Sequence, residues 1–376
     1  MFATIPNRTE SCPYSTWTQT MRRVFLIITA ITLATALMGG GGFWLMWWLG
    51  AQSTLALVED WAAARRESGY EVSYGGVAIS GFPGTATMTF DGLEVGKPSD
   101  SLAWNWTAER VRITLPARSK DPTLNLPGTQ TLTYRIGDEI RTAQITARRF
   151  RLDLGTNDSG ALDRLTLDIS AFALLRQIEG PPVTARRVQI QVALGDGTGL
   201  LPLGTEAVML FNTLKLPEHR NGPMGDTIDS LEARMRLLTK VSSVDLPVAL
   251  EDWRKRGGKL SILESHLRWA GLDARAKGTF QLDEAFRPTA GLSVQIANFT
   301  PTLEAFWAAG RFGTSVMNAV DRALEEIREV EDVSVVPYDI RIENGIIRVI
   351  DIFGRKVEGA TLGTVHPVFP FLRSPG

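Results

Sequence analysis

The sequence predicts an α+β, β-rich protein in which an N-terminal transmembrane helix is followed by large twisted antiparallel sheets with a few packed helices. The first observation behind this fold class is the stretch from Val24 to Gly50, which contains no charged residue. The second is an alternation of apolar and polar residues that recurs between residues 70 and 350, because such alternation is typical of antiparallel strands with one apolar face. The third is the small number of segments with helical periodicity among these strands.

The uncharged stretch Val24–Gly50 is long enough to cross a membrane, because about 20 apolar residues in a helix span a hydrocarbon core of about 30 Å. Arg22 and Arg23 precede it directly, whereas the first charges after it, Glu59 and Asp60, are acidic. The positive-inside rule therefore places the N-terminus in the cytoplasm and predicts that the rest of the chain is exported. The exit end carries tryptophans, which favour the membrane interface: Trp44, Trp47 and Trp48.

Two alternatives stay open at this end of the chain. Ala34-Thr35-Ala36 has the small-x-small pattern of a signal-peptidase site, so the anchor could be cleaved after Ala36. The apolar run continues from Phe43 to Leu49, which favours a retained anchor in the inner membrane. The true start could be Met21, which would open a compact basic region before the helix. If the chain starts at Met1, residues 1–23 form a cytoplasmic tail.

Composition and cysteine count exclude several functional classes. The chain has 40 basic and 41 acidic residues among 376, a net charge of −1, and therefore no electrostatic basis for binding nucleic acid. Its single cysteine, Cys12, precedes the anchor. The exported part consequently has neither a disulfide nor a cysteine-ligated metal site, and we expect no metal and no cofactor.

The anchor is expected to continue as a stalk helix over residues 51–69. Leu55, Val58, Trp61 and Ala62 recur near helical spacing, and Gly69 is a residue that commonly ends a helix. Residues 70–376 then form the exported β-rich domain. The Pro- and Gly-rich segment from Lys215 to Asp226 is a candidate boundary between two halves of this domain.

Turn and helix signals divide the exported domain further. Hairpin turns are predicted at Gly81-Phe82-Pro83-Gly84, Asp91-Gly92 and Asn344-Gly345, because these residues accept the backbone angles of tight turns. Apolar residues at helical spacing predict four short helices: Ala171–Ile178, Val248–Arg256, Thr302–Gly310 and Ser315–Val330.

The chain resembles two known families. GGVAISGFPGTATMTFDGLEV (residues 75–95) and W-x-W-x-A-x-x-V-x-I of Trp104 to Ile113 resemble domain of unknown function 2125, a family of membrane-anchored bacterial envelope proteins, over nearly the whole chain. Residues 274–310, with the later IRIENGIIRV, resemble the AsmA-like envelope proteins more loosely. The second resemblance implies a curved sheet or groove beside an inner-membrane anchor, and lipid handling or envelope assembly. Neither resemblance implies a catalytic residue.

Trp104 and Trp106 are the candidate binding residues. Residues two apart in a strand lie on the same face of a sheet, so the pair forms either core or the wall of an apolar groove. The histidines, His219, His266 and His366, lie far apart in the sequence and are expected at the surface or at strand edges.

We therefore expect a non-catalytic, membrane-anchored periplasmic protein that binds or scaffolds, with lipid or another envelope protein as its partner. The alternative is an envelope hydrolase whose site forms only in the fold.

Overall fold

The computed structural model describes residue 29 and residues 44–361, except 51, 54, 57, 99–102, 117–118, 120, 137–138, 177–180, 218–223, 244–245, 298–334, 344–345 and 351–355. Most of the predicted anchor Val24–Gly50 lies outside these residues, as do Arg22, Arg23 and the predicted helices Thr302–Gly310 and Ser315–Val330. No helix in the described part of the chain combines the length and the apolar character needed to cross a bilayer.

The described residues form one large antiparallel sheet rather than several, with few helices, so the β-rich fold class is confirmed. Its first nine strands are β1 (Glu71–Ser73), β2 (Val77–Ser80), β3 (Thr85–Lys97), β4 (Trp104–Pro116), β5 (Thr123–Asn125), β6 (Gln130–Ile136), β7 (Glu139–Thr146), β8 (Arg149–Thr156) and β9 (Leu162–Arg176). The others are β10 (Val183–Ala193), β11 (Glu206–Lys215), β12 (Thr227–Leu237), β13 (Leu260–Trp269), β14 (Leu272–Leu282), β15 (Pro288–Ala297), β16 (Val335–Glu343), β17 (Ile346–Ile350) and β18 (Lys356–Thr361).

The sheet is a meander in which neighbours in sequence are neighbours in space. From β9 to β18 every strand pairs with the next one along the chain. On the other side of β9, short strands share a position: β1 and β2 both pair with β3, β5 and β6 both pair with β4, and β7 and β8 both pair with β9. The strands on either side of the Lys215–Asp226 segment, β11 and β12, pair with each other directly.

Two helices accompany the sheet in the described ranges. Residues 44–67 are helical wherever they are described, and we name this helix α1. It ends where Gly69 takes a φ of +80°, with the Tyr70 amide donating to the Arg65 carbonyl and the Gly69 amide to the Arg66 carbonyl. These two bonds make a Schellman motif, which satisfies the last carbonyls of a helix. Helix α2 spans Leu246–Lys255 and confirms the prediction at Val248–Arg256.

One helix prediction and one turn prediction were wrong. Ala171, the first residue of the predicted helix Ala171–Ile178, lies in β9, and the strand continues to Arg176. Asp91-Gly92 lies inside β3, where Gly92 has a φ of +61°. The turn at Gly81–Gly84 is confirmed, since β2 and β3 pair around it. At Asn344-Gly345 the pairing of Glu343 with Ile346 confirms the hairpin.

Both wrong predictions fall on a row of bulges that crosses the sheet, which we call the crease. At each position two consecutive residues turn to the same side, so the apolar residues that flank them are three apart rather than two. Thus Ala185 and Val188 are both buried, whereas Arg186 and Arg187 between them are exposed. The crease residues are Asp91–Gly92, Glu109–Arg110, Arg148–Arg149, Ser170–Ala171, Arg186–Arg187, Asn212–Thr213 and Asp229–Ser230.

The crease explains the backbone angles that strands rarely tolerate. Ala171 has a φ of +50° and Thr213 a φ of +51°, which for residues other than glycine costs about 1–2 kcal/mol. The registers of β9 with β10 and of β10 with β11 each skip one pair at these residues. Because bulges bend the strand that carries them, bulges in neighbouring strands bend the sheet along one line.

Candidate functional site

The centre of the sheet has a continuous apolar face across eight strands, β8 to β15. Paired residues place three rows of residues, all with apolar side chains except Ser265 and Gly278, side by side on this surface, which we call the apolar face. One row is Phe150, Ile169, Val188, Phe211, Leu231, Leu267, Ala274 and Ile296. The next is Leu152, Leu167, Ile190, Met209, Ala233, Ser265, Ala276 and Val294. The third is Leu154, Leu165, Val192, Ala207, Met235, Ile262, Gly278 and Leu292.

Most of the apolar face is only half-buried. Ile169, Val188 and Val294 are buried, and the other members of the three rows are of intermediate exposure. Where a cluster forms around Ile169, Ala185 and Val188, its other described members come from the strands or from Ala147. In the described part of the chain, therefore, the sheet itself supplies the packing of this cluster.

Helices pack beside the three rows. Leu55 and Val58 of α1 pack on Met88 and Phe90 of β3. Leu250 and Trp253 of α2 pack with Leu237 and Leu282 at the ends of β12 and β14, and the Trp253 indole donates to the Thr239 carbonyl at 3.1 Å. The apolar face is therefore bordered by α1 on the side of β3 and by α2 at the ends of two of its own strands.

The predicted binding residues Trp104 and Trp106 lie on the apolar side of β4, near α1. Trp106 packs on the cluster of Met88, Phe90, Ala108 and Val111, and Trp104 meets the Tyr70 ring edge-on at 6.2 Å. Both side chains are half-buried. The structure brings them to the α1 end of the sheet, not to the three rows of the apolar face.

The first turns of α1 expose a compact group of apolar side chains. Trp44, Leu45, Met46, Trp48 and Leu49 are all 40% exposed or more. Trp47 instead holds the helix against the sheet, because its indole donates to the Thr85 carbonyl at 2.5 Å and its ring meets Phe82 edge-on at 5.6 Å. The end of the predicted anchor is therefore joined to the β2–β3 hairpin.

The opposite face of the sheet carries paired charges. Arg187 forms two hydrogen bonds with Asp168, at 2.9 and 3.1 Å, and this carboxylate raises the pKa of the guanidinium. Arg236 and Arg234 both donate to Glu206 and hold the pKa of its carboxyl below the usual range. We call this surface the polar face.

A depression of about 550 Å³ on the polar face brings a histidine and carboxylates together, which the sequence alone did not indicate. Glu232, Glu264 and His266 line it, and His266 Nε2 lies 2.8 Å from an Asp273 oxygen. The neighbouring Ser265 lines the same depression, and its hydroxyl donates to the Ala276 carbonyl at 3.2 Å.

The described residues provide neither a candidate metal site nor a second histidine. Within the described ranges no group of three or more His, Cys, Asp or Glu side chains is placed to hold a metal ion. His219 and His366 lie outside the described residues, as does Cys12.

Sequence reasoning missed a second depression, of about 720 Å³, along the crease. It is lined by Arg148, Arg149, Arg186 and Arg187 together with Asp168, Ser170, Ala171, Asn212, Thr213 and Asp229. A signal was present in the sequence, because a Thr-Ala-x-Arg motif followed by an apolar residue occurs at residues 107–111, 146–150 and 184–188. Each copy crosses the crease at its third and fourth residues.

Comparison with known proteins gives a family but no activity. No curated protein and no solved structure matches the chain. A family model described as an uncharacterized protein conserved in bacteria matches residues 47–349, which is more than half of the chain and includes most of α1 and the whole apolar face. The chain therefore belongs to this family of uncharacterized bacterial proteins, DUF2125.

Proposed function

We propose that the chain is a non-catalytic protein, anchored in the bacterial inner membrane and facing the periplasm, that binds the acyl chains of a lipid on its apolar face. The observation that carries this proposal is the three rows of largely apolar side chains, which are half-buried and lie beside the parts of the sheet that α1 and α2 cover.

In the described part of the chain no helix packs on the cluster at the centre of the apolar face, which makes this surface a candidate for binding. Monomeric soluble proteins rarely expose contiguous apolar patches larger than a few hundred Å², and larger ones mark binding sites for partners or ligands. Neighbouring strands are about 4.8 Å apart, so a row through eight strands, with seven spacings, is about 34 Å long. A phospholipid acyl chain is long, narrow and free of polar groups, and a surface without charged residues matches it.

The exposed aromatic and aliphatic residues at the start of α1 support a position beside a membrane. Trp44 and Trp48 stack with ring centroids 6.4 Å apart, and amphipathic indoles favour the membrane interface. Trp47 joins this helical end to the β2–β3 hairpin. A sheet held in this way stays close to the bilayer from which lipid would come. The resemblance to AsmA-like envelope proteins implies the same use of a sheet.

Adjacent residues of β10 provide the test, because Ile190 lies in a row of the apolar face and Gln189 lies on the polar face. A photo-crosslinking amino acid is introduced at each position in the full chain, and native membranes are irradiated. We expect the mass of a phospholipid to be added at position 190 and not at position 189. If position 190 crosslinks to a protein and not to a lipid, the partner on the apolar face is another protein, and the chain acts as a scaffold. Equal lipid labelling at both positions would contradict the proposal.

A further inference from the structure

The structure points to a second binding site on the opposite face of the sheet. We propose that the crease arginines Arg148, Arg149 and Arg186, with Arg187, bind a phosphoryl anion, either a phospholipid head group or free phosphate. This site is independent of the acyl-chain proposal, since it uses other residues on the other face.

The bulges are what bring these arginines together. In a regular strand, consecutive side chains point to opposite faces, so each Arg-Arg pair would place one guanidinium on the apolar face. At the crease both members face the polar side, because the flanking residues Ala147 and Phe150, and likewise Ala185 and Val188, all pack into the apolar cluster. Two pairs of cations therefore share one surface.

Strand register places the two pairs close enough to share one ligand. Arg149 is opposite Ser170 of β9, and Ser170 is opposite Arg187 of β10. Two strand spacings separate the pairs, which amounts to about 10 Å between backbones. Arginine side chains can converge over that distance, and all four line the same depression of about 720 Å³.

The depression has a surplus of positive charge. Its four guanidiniums face two carboxylates, Asp168 and Asp229, which leaves two formal positive charges in excess. Asp168 is engaged by Arg187, and Arg151, the next arginine along β8, is engaged by Asp153. Arg148, Arg149 and Arg186 form no ion pair within the described part of the chain. A phosphoryl group with two negative charges would balance the two excess positive charges.

Phosphoryl oxygens fit these donors better than other anions do. The guanidinium is planar, stays charged and presents a fork of N–H groups that binds phosphate or carboxylate through two parallel hydrogen bonds. Arginines from separate strands can contact different oxygens of one tetrahedral group. The side chain of Asn212 and the hydroxyl of Thr213 line the same depression and add neutral donors.

Direct binding to the full chain in a neutral detergent tests the site. Calorimetric titrations use inorganic phosphate, short-chain phosphatidic acid and, as a lipid without net charge, short-chain phosphatidylcholine. The triple variant R148Q/R149Q/R186Q removes three crease cations. The control R112Q/R135Q/R275Q removes three exposed arginines elsewhere, for which no ion pair is recorded in the described residues. Circular dichroism and the thermal midpoint verify that both variants fold.

We expect the crease variant to weaken anion binding by about tenfold or more, because charge-assisted hydrogen bonds are lost, and the control to change it little. The variant R148K/R149K/R186K keeps the charge without the fork and is expected to lose part of the affinity. Binding of inorganic phosphate assigns free phosphate, whereas binding of phosphatidic acid alone assigns a head group. Equal losses in the crease and control variants, or no binding of either anion by the natural sequence, would overturn the proposal.

Discussion

The two apolar regions of this sheet have the same alternation but different burial. Around Met88 and Phe90, α1 covers the strands, and these residues are 0% and 2% exposed. Around Ile190 the equivalent side of the sheet is half-buried. A pattern of apolar residues thus identifies which face is apolar, while the covering element decides whether that face is core or binding surface.

The largest expected effect compares one phenylalanine from each region. Phe90→Ala is expected to lower the free energy of unfolding by about 3–5 kcal/mol, because it leaves a cavity beneath α1. Phe211→Ala is expected to cost only about 1–2 kcal/mol, since that side chain keeps contact with solvent. Urea unfolding of the full chain in neutral detergent measures both. Equal costs would mean that the two regions are equally covered, and the comparison would fail.

A smaller effect on stability is expected in the crease, where the two regions have different residues at positions with a positive φ. The part beneath α1 has Gly92 at a φ of +61°, whereas the part beside the apolar face has Ala171 at +50°. Ala171→Gly should raise the free energy of unfolding by up to about 1 kcal/mol, because the strain of an L-residue in the left-handed region is removed. Ala173→Gly, in the same strand without a positive φ, should lower it by about 0.5–1 kcal/mol. A loss of stability in both variants would argue against a strained crease.

The smallest effect concerns α2, which packs on the ends of β12 and β14. Arg254, and then Lys255, hydrogen-bond to Glu251 and lower the pKa of its carboxyl from 4.5 to about 2. A lowered pKa contributes stability above pH 4.5, and that stability is lost as the pH falls toward about 2. The Glu251→Gln variant should therefore be less stable than the natural protein at neutral pH. It should also lose less stability than the natural protein as the pH falls from 4.5 toward about 2. Parallel pH profiles of the urea midpoint for both proteins would contradict this role.

The fold class could be predicted because alternation is a local property of the chain. Rows such as Leu165, Leu167 and Ile169 in β9 show it without any knowledge of their partners. The end of α1 at Gly69 and the turn at Gly81–Gly84 depend on single residues with special backbone angles, and these too can be recognised in sequence.

The crease and its arginines could not be predicted in the same way, because they depend on where alternation breaks. Phe172, Leu174 and Leu175 follow Ala171 at a spacing that suits a helix, yet they lie in a strand whose register shifts at that alanine. If side chains simply alternated along the strand, Arg148 and Arg149 would point to opposite faces of the sheet. Only the pairing of β8 to β12 shows that the breaks align. The repeated Thr-Ala-x-Arg motif was the one local signal of this alignment.

The order of the meander has a consequence for how the protein folds. Because most strands pair with the strand just before them in the chain, most contacts close short loops. Structures dominated by contacts between sequence neighbours have small loop-closure costs and fold faster than sheets with distant pairings. The sheet can therefore grow from the α1 end one strand at a time, with each completed edge serving as the template for the next strand.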